Sequence, residues 1–144
     1  MENSAIEIEG IKFYGSPVSP WFYNWAFNVH RGAEIKKYWE QIPSDTNFLI
    51  THGPAHNILD TVNNFYNNSQ NVGCADLKNQ LFKLKDLKIF QFGHIHEARG
   101  YELFNDIHCF NASCLNEAYE THDPYHFLID VTPGDNFDVK IITE

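Results

Sequence analysis

Two short apolar runs in this chain stop in the same manner, and that shared ending constrains the fold more than any other feature. Phe48-Leu49-Ile50-Thr51 runs into His52-Gly53, and Ile89-Phe90-Gln91-Phe92 runs into Gly93-His94-Ile95-His96. Apolar runs of this length bounded by turn residues read as buried strands. Residues 75–84 place Leu77, Leu81 and Leu84 on one helical face before the second run, and strand–helix alternation of that kind makes an α/β sheet. Such sheets hold their ligand groups in the loops at strand ends, where glycine lets the backbone come close to an ion or a phosphate. His52, His94 and His96 are therefore the candidate ligands. On a regular strand the two rings of His94-x-His96 cannot share a ligand between them, so a turn or bulge is needed to aim them at two neighbouring ions. Neutral imidazole suits Zn, Fe, Mn or Ni. A lone histidine at a strand end is more simply a half-exposed terminus; two such endings in one chain favour the metal.

The other segments fill in a single domain over residues 1–144, one domain's worth of chain. Residues 5–9 and 11–15 read as two strands hinged at Gly10, and Pro17 and Pro20 exclude both a helix and a central strand just after them. Residues 34–42 have helical spacing and stop at Pro43. The asparagine-rich stretch 57–71 reads as loop with one helical turn near Ile58 to Val62. Strands follow at 100–104, 107–111, 125–131 and 137–143, the last two joined by a turn at 133–136, so the chain ends in an antiparallel meander.

Other candidates have two readings each. Trp21, Phe22, Trp25 and Phe27 follow the two-proline loop; such density usually marks core, yet a rigid aromatic wall there would stack on a flat group. Trp21 and Trp25 are on that reading substrate contacts, and His56 is a further one. His30, His122 and His126 read as surface or packing residues. Asp106-Ile107-His108 has the look of a D-x-H ligand pair, but it falls within an alternating strand pattern, so packing is preferred.

Charge narrows the partners. Ten Lys and Arg against 19 Asp and Glu give a net charge of -9, which repels nucleic-acid phosphates. No apolar run reaches the length of a membrane span. Cys74, Cys109 and Cys114 form no C-x-x-C pair, and the acidic start is unlike a signal peptide. These features predict free thiols in a reducing compartment, the cytosol, with no nucleic-acid and no membrane partner.

T-H-G-P at 51–54 and F-G-H-I-H-E at 92–97 resemble the last two motifs of the calcineurin-like metallophosphoesterases. The stretch 11–27, Gly73-Cys74 and Asn111-Ala112-Ser113 are similar to the metallophosphoesterase-domain-containing subgroup, small phosphodiesterases of the type found in animal brain and in many bacteria. The resemblance covers nearly the whole chain. It implies the carboxy-terminal half of a four-layer α-β-β-α sandwich with a dinuclear centre of divalent ions, Mn, Fe, Zn or Mg. By resemblance His52 and His94 belong to one ion and His96 to its neighbour, and a metal-bridging hydroxide attacks a phosphate ester, with nucleotides among the candidate substrates.

The family's D-x-H, G-D and G-N-H-[DE] motifs do not appear ahead of Gly10. With them go several ligands and the histidine that protonates the leaving group, so no catalytic acid is assigned. The expectation is a phosphoesterase incomplete by itself, whose remaining ligands come from a separate chain or a further segment. The competing expectation is a non-catalytic half-domain that binds a nucleotide or a partner and dimerises through its sheet.

Overall fold

In the computed structural model the described residues are 1–63, 68–121, 127–132 and 138–142. In chain order the elements are β1 (Ser4–Ile8), β2 (Ile11–Ser16), β3 (Ser19–Pro20), β4 (Asn28–Val29), α1 (Ala33–Trp39), β5 (Phe48–Thr51), β6 (Thr61–Asn63) and β7 (Ser69–Asn71). Then come α2 (Ala75–Leu81), β8 (Ile89–Phe92), a 3-10 turn over His96–Ala98, β9 (Gly100–Phe104), β10 (Ile107–Asn111), β11 (Leu128–Thr132) and β12 (Asp138–Ile142).

Six strands make the main sheet, in the order β1-β2-β5-β8-β10-β9. Its four inner strands are mutually parallel, and β1 and β9 close the edges antiparallel. The alternation of short strands and helices thus yields the expected α/β architecture. Both edge hairpins turn on two residues with positive φ, Glu9 (50°) and Gly10 (78°), and Asn105 (48°) and Asp106 (61°). This conformation matches the twist of the strands it joins. Asp106 is therefore a turn residue, and Ile107 is buried on the opposite side of the strand from His108, in keeping with a packing role for that D-x-H.

The register carries a row of Tyr14, Leu49, Phe90 and Cys109 across the inner strands. Ile35 and Trp39 of α1 and Leu77 and Leu81 of α2 join it in one buried core. Each large apolar side chain sequestered there contributes about 1.5–3 kcal/mol. Trp39 also donates from Nε1 to Cys74 Sγ at 3.3 Å, tying α1 to the start of α2. The other sheet face holds Phe13 stacked on Phe48 at 5.0 Å, with Ile6 and Leu103 more than half exposed toward its edges. Helices on one sheet face are what the described residues provide.

Two stretches of the described residues depart from their expected form. β10, expected in an antiparallel meander, lies between β8 and β9 and runs parallel to β8, and 57–71 differs as well. Between 57 and 71 there is no helical turn among the described residues but an antiparallel pair, β6 with β7. The buried carboxylate of Asp60 holds it, accepting from Asn57 N, Asn71 Nδ2 and Gly73 N at 2.8–3.0 Å. A side chain at Gly73 would collide with Ala55 and Asp60. The two-residue strands β3 and β4 pair in parallel away from the main sheet, so the prolines are kept out of its centre. The final hairpin pairs β11 with β12 antiparallel. The turn at 133–136, His122 and His126 lie outside the described residues.

Candidate metal centre

The histidine pair arises directly from the strand order. β5 and β8 are parallel neighbours in register, Phe48 opposite Ile89, so both runs finish at the same edge of the sheet. Gly93 N donates to His52 O at 3.0 Å across that edge. The His52 and His94 rings then lie 4.6 Å apart, tilted by 45°. Burial depresses the His52 pKa. Burial, with the charges of His52 and His96 beside it, pushes His94 down to about 4. Both rings are thus neutral at neutral pH, the state in which imidazole offers a lone pair to a cation.

The expected turn between His94 and His96 is present. His94 has φ 74°, and Ile95 N donates back to Gly93 O at 2.9 Å. This is a γ-turn of the rare positive-φ kind. His96 then opens the 3-10 turn, with its Nδ1 2.9 Å from Asn116 O. A carbonyl only accepts, so Nδ1 carries the proton and the neutral ring keeps its lone pair on Nε2. A backbone carbonyl on the far nitrogen is the usual support for a metal-ligating histidine. The His96 ring also meets Tyr119 edge-on at 5.4 Å. Neither Asn116 nor Tyr119 carried a signal in the sequence, because both act from a distant loop.

The proposed substrate contacts separate. Trp25 stands edge-on to His94, with ring centroids 6.2 Å apart. Trp21 stacks instead on His30 at 6.1 Å, and His56 Nδ1 lies 3.6 Å from Asp60 Oδ2. The aromatic segment is neither core nor a closed wall. Trp21, Phe22, Tyr23, Trp25 and Phe27 are each more than half exposed. They are presented by a loop closed at its base, where Ser19 N donates to Phe27 O and Trp21 N to Val29 O. Asn28 Nδ2 bonds the carbonyls of Phe22 and Tyr23 from within.

The donor chemistry suits a borderline divalent cation, but the donor number does not complete one. Among the described residues no three His, Cys, Asp or Glu side chains gather closely enough to hold an ion. What stands at this edge is the His52–His94 ring pair, with His96 near enough for its charge to act on His94. Among the described residues no helix is long and apolar enough to cross a membrane.

No family model matches the chain. Individual proteins do. It is 36% identical over 124 residues to metallophosphoesterase domain-containing protein 1 of Homo sapiens, covering 86% of this chain and 37% of that protein. A UPF0046 protein of Caenorhabditis elegans is 37% identical over 134 residues, 92% of this chain and 33% of its own length. Another from the same organism is 30% identical over 137 residues, 92% of this chain and 47% of its own length. The chain thus spans about a third to a half of the length of these curated relatives.

Proposed function

The chain belongs to the metallophosphoesterase-domain family, and from that premise we propose that it supplies the histidine part of a phosphoesterase's dinuclear metal centre. His52 and His94 serve one ion and His96 its neighbour. The observation that carries this reading is the 4.6 Å ring pair, set at the carboxyl ends of adjacent parallel strands, where α/β sheets keep their ligands. Divalent ions at such a centre supply a hydroxide nucleophile and stabilise the charge on the phosphoryl oxygens. The remaining ligands come from outside the described residues. This chain's own part is to hold the imidazoles in place, those of His52 and His94 kept neutral by burial, with the His96 ring oriented by Asn116 O.

The substrate is a phosphate ester carrying a flat group, a nucleotide among the candidates. Trp25, edge-on to His94, is the nearest surface on which such a group would lie, and Trp21 extends the same loop. The setting is the cytosol, in keeping with three free cysteines. The test is hydrolysis of a chromogenic phosphodiester by the chain with added Mn²⁺. Slow turnover that disappears in both His52→Ala and His94→Ala supports the reading. Turnover that ignores both substitutions, or needs no metal, contradicts it.

A second reading rests on the sheet face opposite the helices. Ile6, Ile8 and Leu103 are each more than half exposed there, and β1 is exposed along its length. Ile6 and Ile8 lie side by side on edge strand β1, with Leu103 at the opposite edge. Exposed apolar side chains on an unpaired sheet edge mark an interface, and a second copy related by a two-fold axis is the simplest cover. On this reading the chain is a dimeric interaction module. Loss of self-association in Ile6→Lys/Leu103→Lys with metal binding intact would separate it from the enzymatic reading.

A further inference from the structure

We infer that Asn111 is the positioning residue of the histidine turn, an inference that rests on the metal-binding reading of His94 and His96. The turn is strained where it matters. His94 sits at φ 74° at the centre of a γ-turn, a conformation that persists only where its surroundings over-determine it. Asn111 closes β10, opposite Phe92 in the parallel register with β8, and so stands directly beside the turn. It is fully buried.

Its side-chain amide is saturated. Nδ2 donates to Ile95 O at 2.7 Å, the carbonyl between the two histidines. Its second hydrogen goes to Leu59 O at 3.2 Å. Leu59 is itself at φ 43°, so one side chain ties two strained turns together. On the other side Oδ1 accepts from Ser113 N at 3.1 Å and Ser113 Oγ at 2.8 Å, which fixes the orientation of the amide. Ala112 N donates to Phe92 O at 2.7 Å, holding the end of β10 against the start of the turn.

Only an amide meets these demands. Aspartate has the same shape but no donor, and its carboxylate would face two carbonyl oxygens. Leucine fills the volume but withdraws the amide from Ile95 O, Leu59 O and Ser113 N. The Asn111 side chain bonds to backbone and to Ser113 rather than to an imidazole. It acts by holding Ile95 O, and through it the direction in which His94 and His96 leave the turn.

The experiment compares the wild-type chain with Asn111→Asp, Asn111→Ser and Ser113→Ala. Two readouts are taken on folded protein: the nuclear Overhauser contact between the His52 and His94 rings without metal, and the affinity for Zn²⁺. In Asn111→Asp and Asn111→Ser the ring contact should vanish and Zn²⁺ affinity fall about 10- to 100-fold, the usual loss for a supporting group around a metal ligand. Ser113→Ala removes the 2.8 Å bond to Asn111 Oδ1 and a longer 3.4 Å approach of Oγ to Ile95 O. It leaves both Nδ2 bonds and the Ser113 N bond to Oδ1 and should keep the ring contact. Either Asn111 variant, folded, with the wild-type ring contact overturns the inference. If wild-type chain does not bind Zn²⁺, the metal reading fails while the ring contact still decides the role of Asn111. Should neither variant fold, the wild-type Asn111 amide protons decide it. Slow exchange with scalar coupling to the Ile95 and Leu59 carbonyls is expected, and exchange at solvent rates overturns the inference.

Discussion

The imidazoles of His52 and His94 meet at 4.6 Å because β5 and β8 are adjacent, parallel and in register. Shifting either strand by one residue would send its histidine to the other face of the sheet. The pair is a product of sheet register rather than of local sequence, and its properties are measurable in the metal-free protein.

Stability of that metal-free protein should fall as the medium is acidified. The His94 pKa lies at about 4 in the folded chain, below the ordinary value near 6.5 of an unfolded histidine. Between those values the unfolded chain binds more protons, so stability rises with pH. The contribution is full above about pH 6.5 and is lost as the pH falls toward 4; His52, shifted the same way by burial, adds to it. Denaturant midpoints from pH 7 to 4 test this, and His94→Gln should flatten the dependence.

Thiol titration should find one reactive cysteine in the native chain and three after denaturation. Cys74 and Cys109 are buried and Cys114 is exposed. Burial raises the Cys74 pKa and pushes Cys109 up to about 12, which suppresses the thiolate that reacts. Rapid modification of two or more native thiols would contradict this packing.

Asp60→Asn should destabilise the fold without unfolding it. The amide keeps the shape but turns a donor toward Asn57 N, Asn71 Nδ2 or Gly73 N, which the carboxylate now satisfies. One buried mismatch costs about 1–3 kcal/mol. Urea midpoints give the loss, and amide exchange should rise first in β6 and β7.

Trp25→Ala should weaken binding of an aryl or nucleotide phosphodiester and leave stability within about 0.5 kcal/mol, as is usual for exposed positions. A stacking contact is worth about 0.5–1.5 kcal/mol, a few-fold to tenfold in KM. An unchanged KM would detach the aromatic loop from substrate recognition.

Sedimentation at micromolar concentration should show a dimer that Ile6→Lys and Leu103→Lys together convert to monomer. A wild-type species near 16.7 kDa would mean that the exposed sheet face needs no second copy.

The strands ending at His52 and His94 were legible because each is a short apolar run closed by histidine and glycine, the pattern of a buried strand entering a loop. The edge hairpin at Gly10 and both helices were legible through local periodicity. The β6–β7 pair was not, since 57–71 has no apolar period and depends on one buried carboxylate, Asp60, reaching across its ends. The Trp21–Phe27 loop misled in the opposite sense. Its aromatics look like core, yet the Ser19 and Trp21 backbone bonds that close the loop hold them in solvent. The positive φ of His94, the reach of Asn111 to the carbonyl beside it and that of Asn116 to His96 depend on tertiary neighbours that no spacing along the chain reveals.

Paramagnetic broadening by substoichiometric Mn²⁺, read on the imidazole signals of the chain, tests the central claim most directly. The account expects the His52, His94 and His96 rings to broaden first and together, while His30, His56 and His108 stay sharp. Broadening centred on any of those three instead, or none at millimolar Mn²⁺, would contradict it.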